Sequence, residues 1–280
     1  MFNETFLVAN SIAGVELLDV IGDKLHGVFY TKHPDIDLVE KCSKLGLPLF
    51  DKAKLLELTE ANVIMLECHV IIPEHVFVKG NWINIHAGLL PKWRGYSANS
   101  WALLNDEPYL GFTIHQIEKD FDSGRILKYI LLENDYSSNY STLRSQLISK
   151  LCSEICPLIP GLFTGEIIEE RYLYDEFEAR YCAKMKKTDG IIRNFDMETK
   201  FIFNLSRLYL REESSDFCVE VNHKQYEISG AVPLSKEYSG IPGKILKVDS
   251  DWVLVKTYDS AIWLRLAKSQ EFVQEVRRLL

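Results

Sequence analysis

Along the first half of the chain, short apolar runs alternate with stretches in which apolar residues recur every three or four positions. Phe6-Leu7-Val8 reads as a strand and Val15 to Ile21 as an amphipathic helix. Gly27-Val28-Phe29-Tyr30 is a second strand; a turn at His33-Pro34 leads to a helix over Leu38 to Leu45 and a short strand at Pro48-Leu49-Phe50. Val63-Ile64-Met65-Leu66 is the continuous apolar run expected of a strand covered by helices on both faces. This β–α alternation predicts an α/β fold with a doubly wound, Rossmann-like, mostly parallel sheet and right-handed crossovers.

Trp82 to His86 forms the next strand and opens into an irregular loop, Ala87 to Gly95. A helix over Ser97–Leu104 is stopped by Asn105 and Pro108, and strands at Gly111–Glu118 and Ile126–Leu132 flank a tight turn at Asp122-Ser123-Gly124. Leu143, Leu147, Leu151 and Ile155 recur every four residues, which predicts a helix over Ser141–Cys156 limited by Pro157. From about 180 the pattern changes. A helix near Lys200–Tyr209 precedes short alternating segments at Phe217–Val221, Tyr226–Ser229, Gly243–Val248, Trp252–Lys256 and Ile262–Leu266. Their spacing suits a small, mainly antiparallel β domain of barrel or OB-like type. The expected organisation is a larger domain over 1–178, a helix-bearing linker over 179–210 and a small β domain over 211–280.

Composition narrows the class. Of 280 residues, 47% are apolar and 26% charged, as in soluble globular proteins. No run approaches the roughly 18 uninterrupted apolar residues of a membrane span. Met1-Phe2-Asn3-Glu4 lacks the basic region and apolar run of a secretory signal. Cys42, Cys68, Cys152, Cys156, Cys182 and Cys218 are scattered without a paired framework, which predicts reduced thiols and a cytoplasmic protein. Net charge is −8, from 32 basic and 40 acidic side chains, and this argues against nucleic acid as the main partner. Lys184-Met185-Lys186-Lys187 reads as a solvated turn. His69, His75, His86 and His115 share no ligand spacing with nearby carboxylates, so no metal is expected.

The first strand ends in Ala9-Asn10-Ser11-Ile12-Ala13-Gly14, without the Gly-rich turn of a dinucleotide site. Asn10 and Ser11 would open a helix, where free N–H groups either take an anionic group or simply cap the helix. Asn84-Ile85-His86 carries more chemistry. Residues two apart on a strand share a face, so the carboxamide and imidazole converge beyond the strand end, where doubly wound sheets bind ligands. Such a pair suits acyl transfer: the amide and a protonated imidazole can donate to an oxyanion, and the imidazole can exchange a proton with an amine. A satisfied strand-end histidine is the competing reading. Asp122, in its tight turn, can orient or charge that imidazole. The combination Asn-x-His, Leu-Leu-Pro-x-x-Arg-Gly, then Asp-Ser-Gly is more specific than any part.

With these residues in place the chain resembles the N10-formyltetrahydrofolate-dependent formyltransferases. The resemblance rests on Asn84 to Gly95, Trp101-Ala102-Leu103, Gly111-Phe112-Thr113-Ile114 and Asp122-Ser123-Gly124, and continues more weakly through Lys184–Tyr209 and Pro242–Leu266. It implies that His86 is the catalytic acid or base and that Asn84 and Asp122 stabilise the transition state. It also implies a folate pocket formed by Val70, Ile71, Ile72 and the Glu118, Lys119, Asp120, Phe121 loop, with N10-formyltetrahydrofolate leaving as tetrahydrofolate. Tyr96 departs from the pattern, standing where pentose-formylating relatives carry a second arginine.

Among acceptors, methionyl-tRNA is disfavoured by the charge and by a C-terminal region from 176 on that is not basic. A glycinamide-ribonucleotide enzyme would resemble a shorter, single-domain chain. A nucleotide-linked aminosugar fits better: Lys92 and Arg94 can contact a diphosphate, and Tyr96, Asn99 and Trp101 can bind sugar hydroxyls and stack on a base. The sugar-formylating relatives point to dTDP-4-amino-4,6-dideoxyglucose or a close relative, destined for surface polysaccharide such as lipopolysaccharide O-antigen. A catalytically silent folate- or sugar-nucleotide-binding protein is the alternative of another class. A homodimer is the default assembly.

Overall fold

The computed structural model describes residues 4–68, 70–169, 171–210 and 216–277. The chain divides into two compact units. One takes the residues up to Asn99, Tyr109–Glu133 and Arg144–Ala183; the other takes Ser100–Pro108, Asn134–Leu143 and the chain from Lys184 onward. His69, one of the four histidines read above as sharing no ligand spacing, lies outside the described residues.

As far as Cys182 the elements are β1 (Thr5–Val8), α1 (Ile12–Ile21), β2 (Gly27–Phe29), α2 (Ile36–Leu45), β3 (Leu49–Phe50), α3 (Lys52–Leu55), β4 (Asn62–Leu66), α4 (Glu74–Phe77), β5 (Asn81–His86), β6 (Trp93–Gly95), α5 (Ala98–Leu104), β7 (Tyr109–Gln116), β8 (Ile126–Glu133), α6 (Tyr140–Thr164) and β9 (Arg180–Cys182). Seven strands form one sheet in the order β3-β2-β1-β4-β5-β7-β8. Pairing is parallel from β3 to β5 and antiparallel from β5 to β8. This is the expected doubly wound, mostly parallel α/β sheet.

Alternation along the strands builds a core on each face. Leu7, Val28, Ile64, Ile83 and Ile85 meet Leu17, Leu18 and Ile21 of α1, Leu38 of α2, and Leu147 and Leu151 of α6. Phe6, Val8, Phe29, Val63, Met65 and Trp82 meet Leu55, Ile72 and Val76 on the other. Each buried aliphatic contributes about 1.5–3 kcal/mol relative to exposure. Because Ile83 and Ile85 go to the first core, Asn84 and His86 share the face of Trp82, further along the strand.

Three expectations need correction. α6 continues through Pro157 and Pro160 to Thr164. An internal proline costs about 3 kcal/mol, yet Ile155, Ile159 and Leu162 are all buried and offset it. The loop after β5 is not wholly irregular, since β6 pairs in parallel with β9. The strand expected at 111–118 is shifted to Tyr109–Gln116. Among the described residues, α6 is long and apolar enough, by length and composition, to cross a membrane. Its buried residues belong to the sheet's core, as in a helix of a packed domain.

The second unit carries β10 (Ile191–Ile192), α7 (Thr199–Tyr209), β11 (Cys218–Val221), β12 (Lys224–Pro233), β13 (Ile245–Asp249), β14 (Trp252–Lys256), β15 (Ala261–Leu266) and α8 (Ser269–Arg277). The strands order as β10-β11-β12-β15-β14-β13, antiparallel except for β10 with β11. α7 lays Ile202, Leu205 and Tyr209 on a core of Val253, Val255, Ile262 and Leu264. The terminal helix α8, absent from the sequence-based expectation, adds Phe272 and Val273 to the same core. Cys42, Cys68, Cys152, Cys156, Cys182 and Cys218 are free thiols.

Candidate active site

β5 lies where the sheet changes from parallel to antiparallel pairing, between β4 and β7. The β5–β7 register sets Asn84 opposite His115 and His86 opposite Thr113. His86 is 7% exposed. Its Nε2 lies 2.8 Å from the Trp93 carbonyl and its Nδ1 lies 3.6 Å from Asp122 Oδ2. A carbonyl only accepts, so Nε2 carries hydrogen and Nδ1 is the nitrogen that faces the carboxylate.

Asp122 reaches this position from the turn between β7 and β8, with a left-handed backbone (φ 50°). Its Oδ2 accepts the Gly95 N–H at 2.8 Å, which ties the turn to β6. Two glycines make the approach possible. A Cβ on Gly124 would sit 1.8 Å from the Gln116 carbonyl oxygen, and one on Gly88 would sit 2.8 Å from His86 Nε2 and 2.5 Å from Ala98 Cβ. Thr113 fixes the loop from β7: its hydroxyl donates to the Gly88 carbonyl at 2.6 Å and accepts the Leu90 N–H at 3.0 Å.

His115 is a fourth polar group at this point, and sequence reasoning did not place it in the site. It is 3% exposed. Its Nδ1 is 2.8 Å from the Gln116 carbonyl and its Nε2 is 3.1 Å from Asn84 Nδ2 and 3.8 Å from Asp122 Oδ1. Burial drives its pKa down to about 4; Asp122 opposes that shift, whereas His86 and Arg94 reinforce it. Asn84 Oδ1 is buried and has no hydrogen-bond partner among the described residues. The alternation of Phe112 and Ile114 with Thr113 and His115 was a signal for a shared face. The cross-strand register that makes it meaningful is not written in either segment.

Val70 and Ile72 pack against the core on the face that carries Asn84 and His86, whereas Ile71 is exposed. Ile117 joins that core and donates its N–H to the Trp82 carbonyl, and the exposed residues Glu118, Lys119, Asp120 and Phe121 follow it. These two segments flank the face on either side of β5. Among the described residues no group of three His, Cys, Asp or Glu side chains could hold a metal.

The acceptor-contact expectations divide. Asn99 is 2% exposed, and its amide bonds both the N–H and the carbonyl of Gly111, so it acts as an internal clip between α5 and β7. Trp101 belongs to the second unit and packs against its core, so a base-stacking role is not built into its placement. Asn10 spends Oδ1 on the N–H groups of Thr31 and Lys32, and its amide donates to Thr31 Oγ1. Ser11 donates to Glu67, whose carboxylate is forked by Arg144 at 2.6 and 2.7 Å. The start of α1 therefore already faces a carboxylate of the chain itself. Arg94, 6% exposed, pairs with Glu176 at 2.8 Å, and Lys92 Nζ lies 3.8 Å from Glu178. Tyr96 is exposed on the same loop.

Two family models match the chain: formyl transferase over residues 48–145, and formyl transferase, C-terminal domain, over 184–272. A methionyl-tRNA formyltransferase of Helicobacter pylori (strain P12) is 26% identical over 235 residues, spanning 80% of this chain and 73% of that one. By fold the chain is similar to WlaRD, a sugar 3N-formyl transferase (TM-score 0.76, 16% identity, covering 96% of this chain and 99% of that one). It is also similar to the N-formyltransferase from Helicobacter canadensis solved with folinic acid and dTDP-3-aminofucose (TM-score 0.74, 17% identity, 95% and 100%). With both family models matched in order, and an asparagine, a histidine and an aspartate gathered at the end of β5, the chain belongs to the formyltransferase family.

Proposed function

We propose that this protein transfers the formyl group of N10-formyltetrahydrofolate to the amine of a nucleotide-linked aminosugar in the cytoplasm. The observation that carries the reading is the convergence of Asn84, His86 and Asp122 at the carboxyl end of β5, with Asn84 Oδ1 buried and without a hydrogen-bond partner among the described residues. A binding module gains nothing from such a set, because buried polar groups without partners are costly.

In the reaction, the acceptor amine forms a C–N bond to the formyl carbon while the carbonyl π pair moves onto oxygen. Asn84 N–H donates to that oxygen. His86 Nδ1 takes the proton the amine sheds, and Asp122 stabilises the imidazolium. The pair on oxygen then re-forms the carbonyl as the C–N10 bond breaks, and the His86 imidazolium returns its proton to N10, which releases tetrahydrofolate. Val70–Ile72 and Glu118–Phe121 fit the donor: an apolar edge and a loop rich in main-chain groups flank the reacting side chains, as a flat pterin requires.

The aminosugar is supported by the folds of WlaRD and the Helicobacter canadensis enzyme and by the net charge of −8. A dTDP-linked 4-amino-4,6-dideoxy sugar or a close relative, built into surface polysaccharide, is the acceptor proposed. The likeness to the Helicobacter pylori enzyme favours methionyl-tRNA as the second reading. One screen separates them. Purified protein with N10-formyltetrahydrofolate is offered dTDP-, UDP- and GDP-linked 3-amino and 4-amino sugars and methionyl-tRNA. The expected result is a mass gain of one formyl group on a dTDP-aminosugar; formylation of methionyl-tRNA alone overturns the proposal.

A further inference from the structure

We propose that His115 is a positioning residue for Asn84, held with its hydrogen on Nδ1 so that its bare Nε2 fixes which way the Asn84 amide faces. The proposal rests on the formyl-transfer reading and assigns how the amide is used within it. Nδ1 of His115 is 2.8 Å from the Gln116 carbonyl, a group that can only accept, so the hydrogen of the neutral ring resides on Nδ1. Nε2 is then an acceptor, and the atom of Asn84 at 3.1 Å from it must be a donor, Nδ2. The amide cannot flip without setting Oδ1 against the lone pair of Nε2. The second Nδ2 hydrogen and Oδ1 are left over, and Oδ1 is buried with no partner among the described residues.

Leaving a buried acceptor unmatched costs about 1–3 kcal/mol, which is a reason for it to have a ligand partner. An attacking amine brings N–H hydrogens and a formyl oxygen brings lone pairs. Asn84 thus serves both sides of the bond being made: Oδ1 accepts from the amine, and the remaining N–H donates to the formyl oxygen. The neutral state of His115 is essential, because an imidazolium would donate from Nε2 and turn the amide around. The charged or titratable groups facing the ring are Asp122 from the turn, His86 from β5 and Arg94 from β6. Asp122 and the Gln116 carbonyl favour charging the ring, and burial, with His86 and Arg94, outweighs them.

Two measurements test this. Long-range 1H–15N correlation of the imidazole nitrogens in the full-length protein at pH 7, with His115 assigned from the His115→Gln variant, should show a protonated Nδ1 and a bare Nε2. A protonated Nε2 overturns the proposal. Turnover is then compared in His115→Gln, which keeps an acceptor oxygen near the Nε2 position, and in His115→Asn and His115→Phe, which do not. The expected kcat of His115→Gln is within about threefold of the parent, and the other two fall about tenfold or more with KM nearly unchanged, the pattern of an interaction made in the transition state. Full kcat in a folded His115→Phe also overturns it. The spectroscopic measurement needs no acceptor. The expected tautomer together with no turnover on any aminosugar therefore counts against the proposed function and not against this inference.

Discussion

Asp122 Oδ2 accepts the backbone N–H of Gly95 at 2.8 Å, and the same oxygen lies 3.6 Å from His86 Nδ1. One carboxylate oxygen thus anchors the turn between β7 and β8 to β6 and faces the histidine of β5. The Gly95 contact holds the carboxylate in place without consuming the His86 nitrogen that exchanges protons.

Asp122→Asn preserves an oxygen for Gly95 but removes the charge that stabilises the imidazolium. Formyl transfer should fall at least about a hundredfold in kcat, the scale of a lost transition-state electrostatic group. Steady-state kinetics on the acceptor identified by the screen measures this, and unchanged turnover removes the role assigned to Asp122.

His86→Ala distinguishes an enzyme from a binding protein. Turnover should drop by about a hundredfold or more, while calorimetric affinity for a folate donor analogue stays close to that of the parent. If the unmodified protein binds the analogue but forms no product with any acceptor, the silent-module alternative stands instead.

Gly124→Ala sets a methyl group 1.8 Å from the Gln116 carbonyl oxygen, so the turn that carries Asp122 must move. We expect a loss of about 1–3 kcal/mol of stability for the overpacking. A shift of about 1 Å in Asp122 lowers turnover by about a hundredfold. Urea unfolding and kinetics together check both parts; a variant with full stability and turnover would contradict the contact.

Acid should destabilise the fold partly through His115. The folded protein keeps this ring neutral down to about pH 4, whereas the unfolded chain takes up a proton near the ordinary value of 6.5. The unfolded state therefore binds more protons between those values, and stability falls as pH drops from 6.5 towards 4. The slope is at most about 1.4 kcal/mol per pH unit for one proton. Urea midpoints compared at pH 7 and pH 4.5 should fall further in the parent than in His115→Gln, which has no proton to gain. Equal slopes would contradict the buried, neutral state.

Lys256 offers a control in the second unit. It is 1% exposed, and its ammonium donates to the carbonyls of Thr257 at 2.5 Å and Tyr258 at 3.0 Å. Lys256→Met fills similar space but leaves both carbonyls without that donor, at a cost of about 1–3 kcal/mol. Urea denaturation should register the loss.

Periodicity alone determined several things. The alternation in Trp82–His86 placed Asn84 and His86 on one face, and the β–α rhythm with its apolar runs determined a doubly wound sheet with the site at its strand ends. Both follow from neighbours a few residues apart. Tertiary structure alone decided the partners. His115 joined the site through the antiparallel register of β5 with β7, and both ends of the Asn99 amide, on α5, are taken by Gly111 of β7. The cations Lys92 and Arg94 met Glu178 and Glu176 through the β6–β9 pairing, about eighty residues away in the chain. Helix α6 outran its prolines because burial against the sheet exceeded a local penalty. Local pattern fixes which way a side chain points from its own strand. What it meets there depends on contacts between segments whose pairing energy neither one carries by itself.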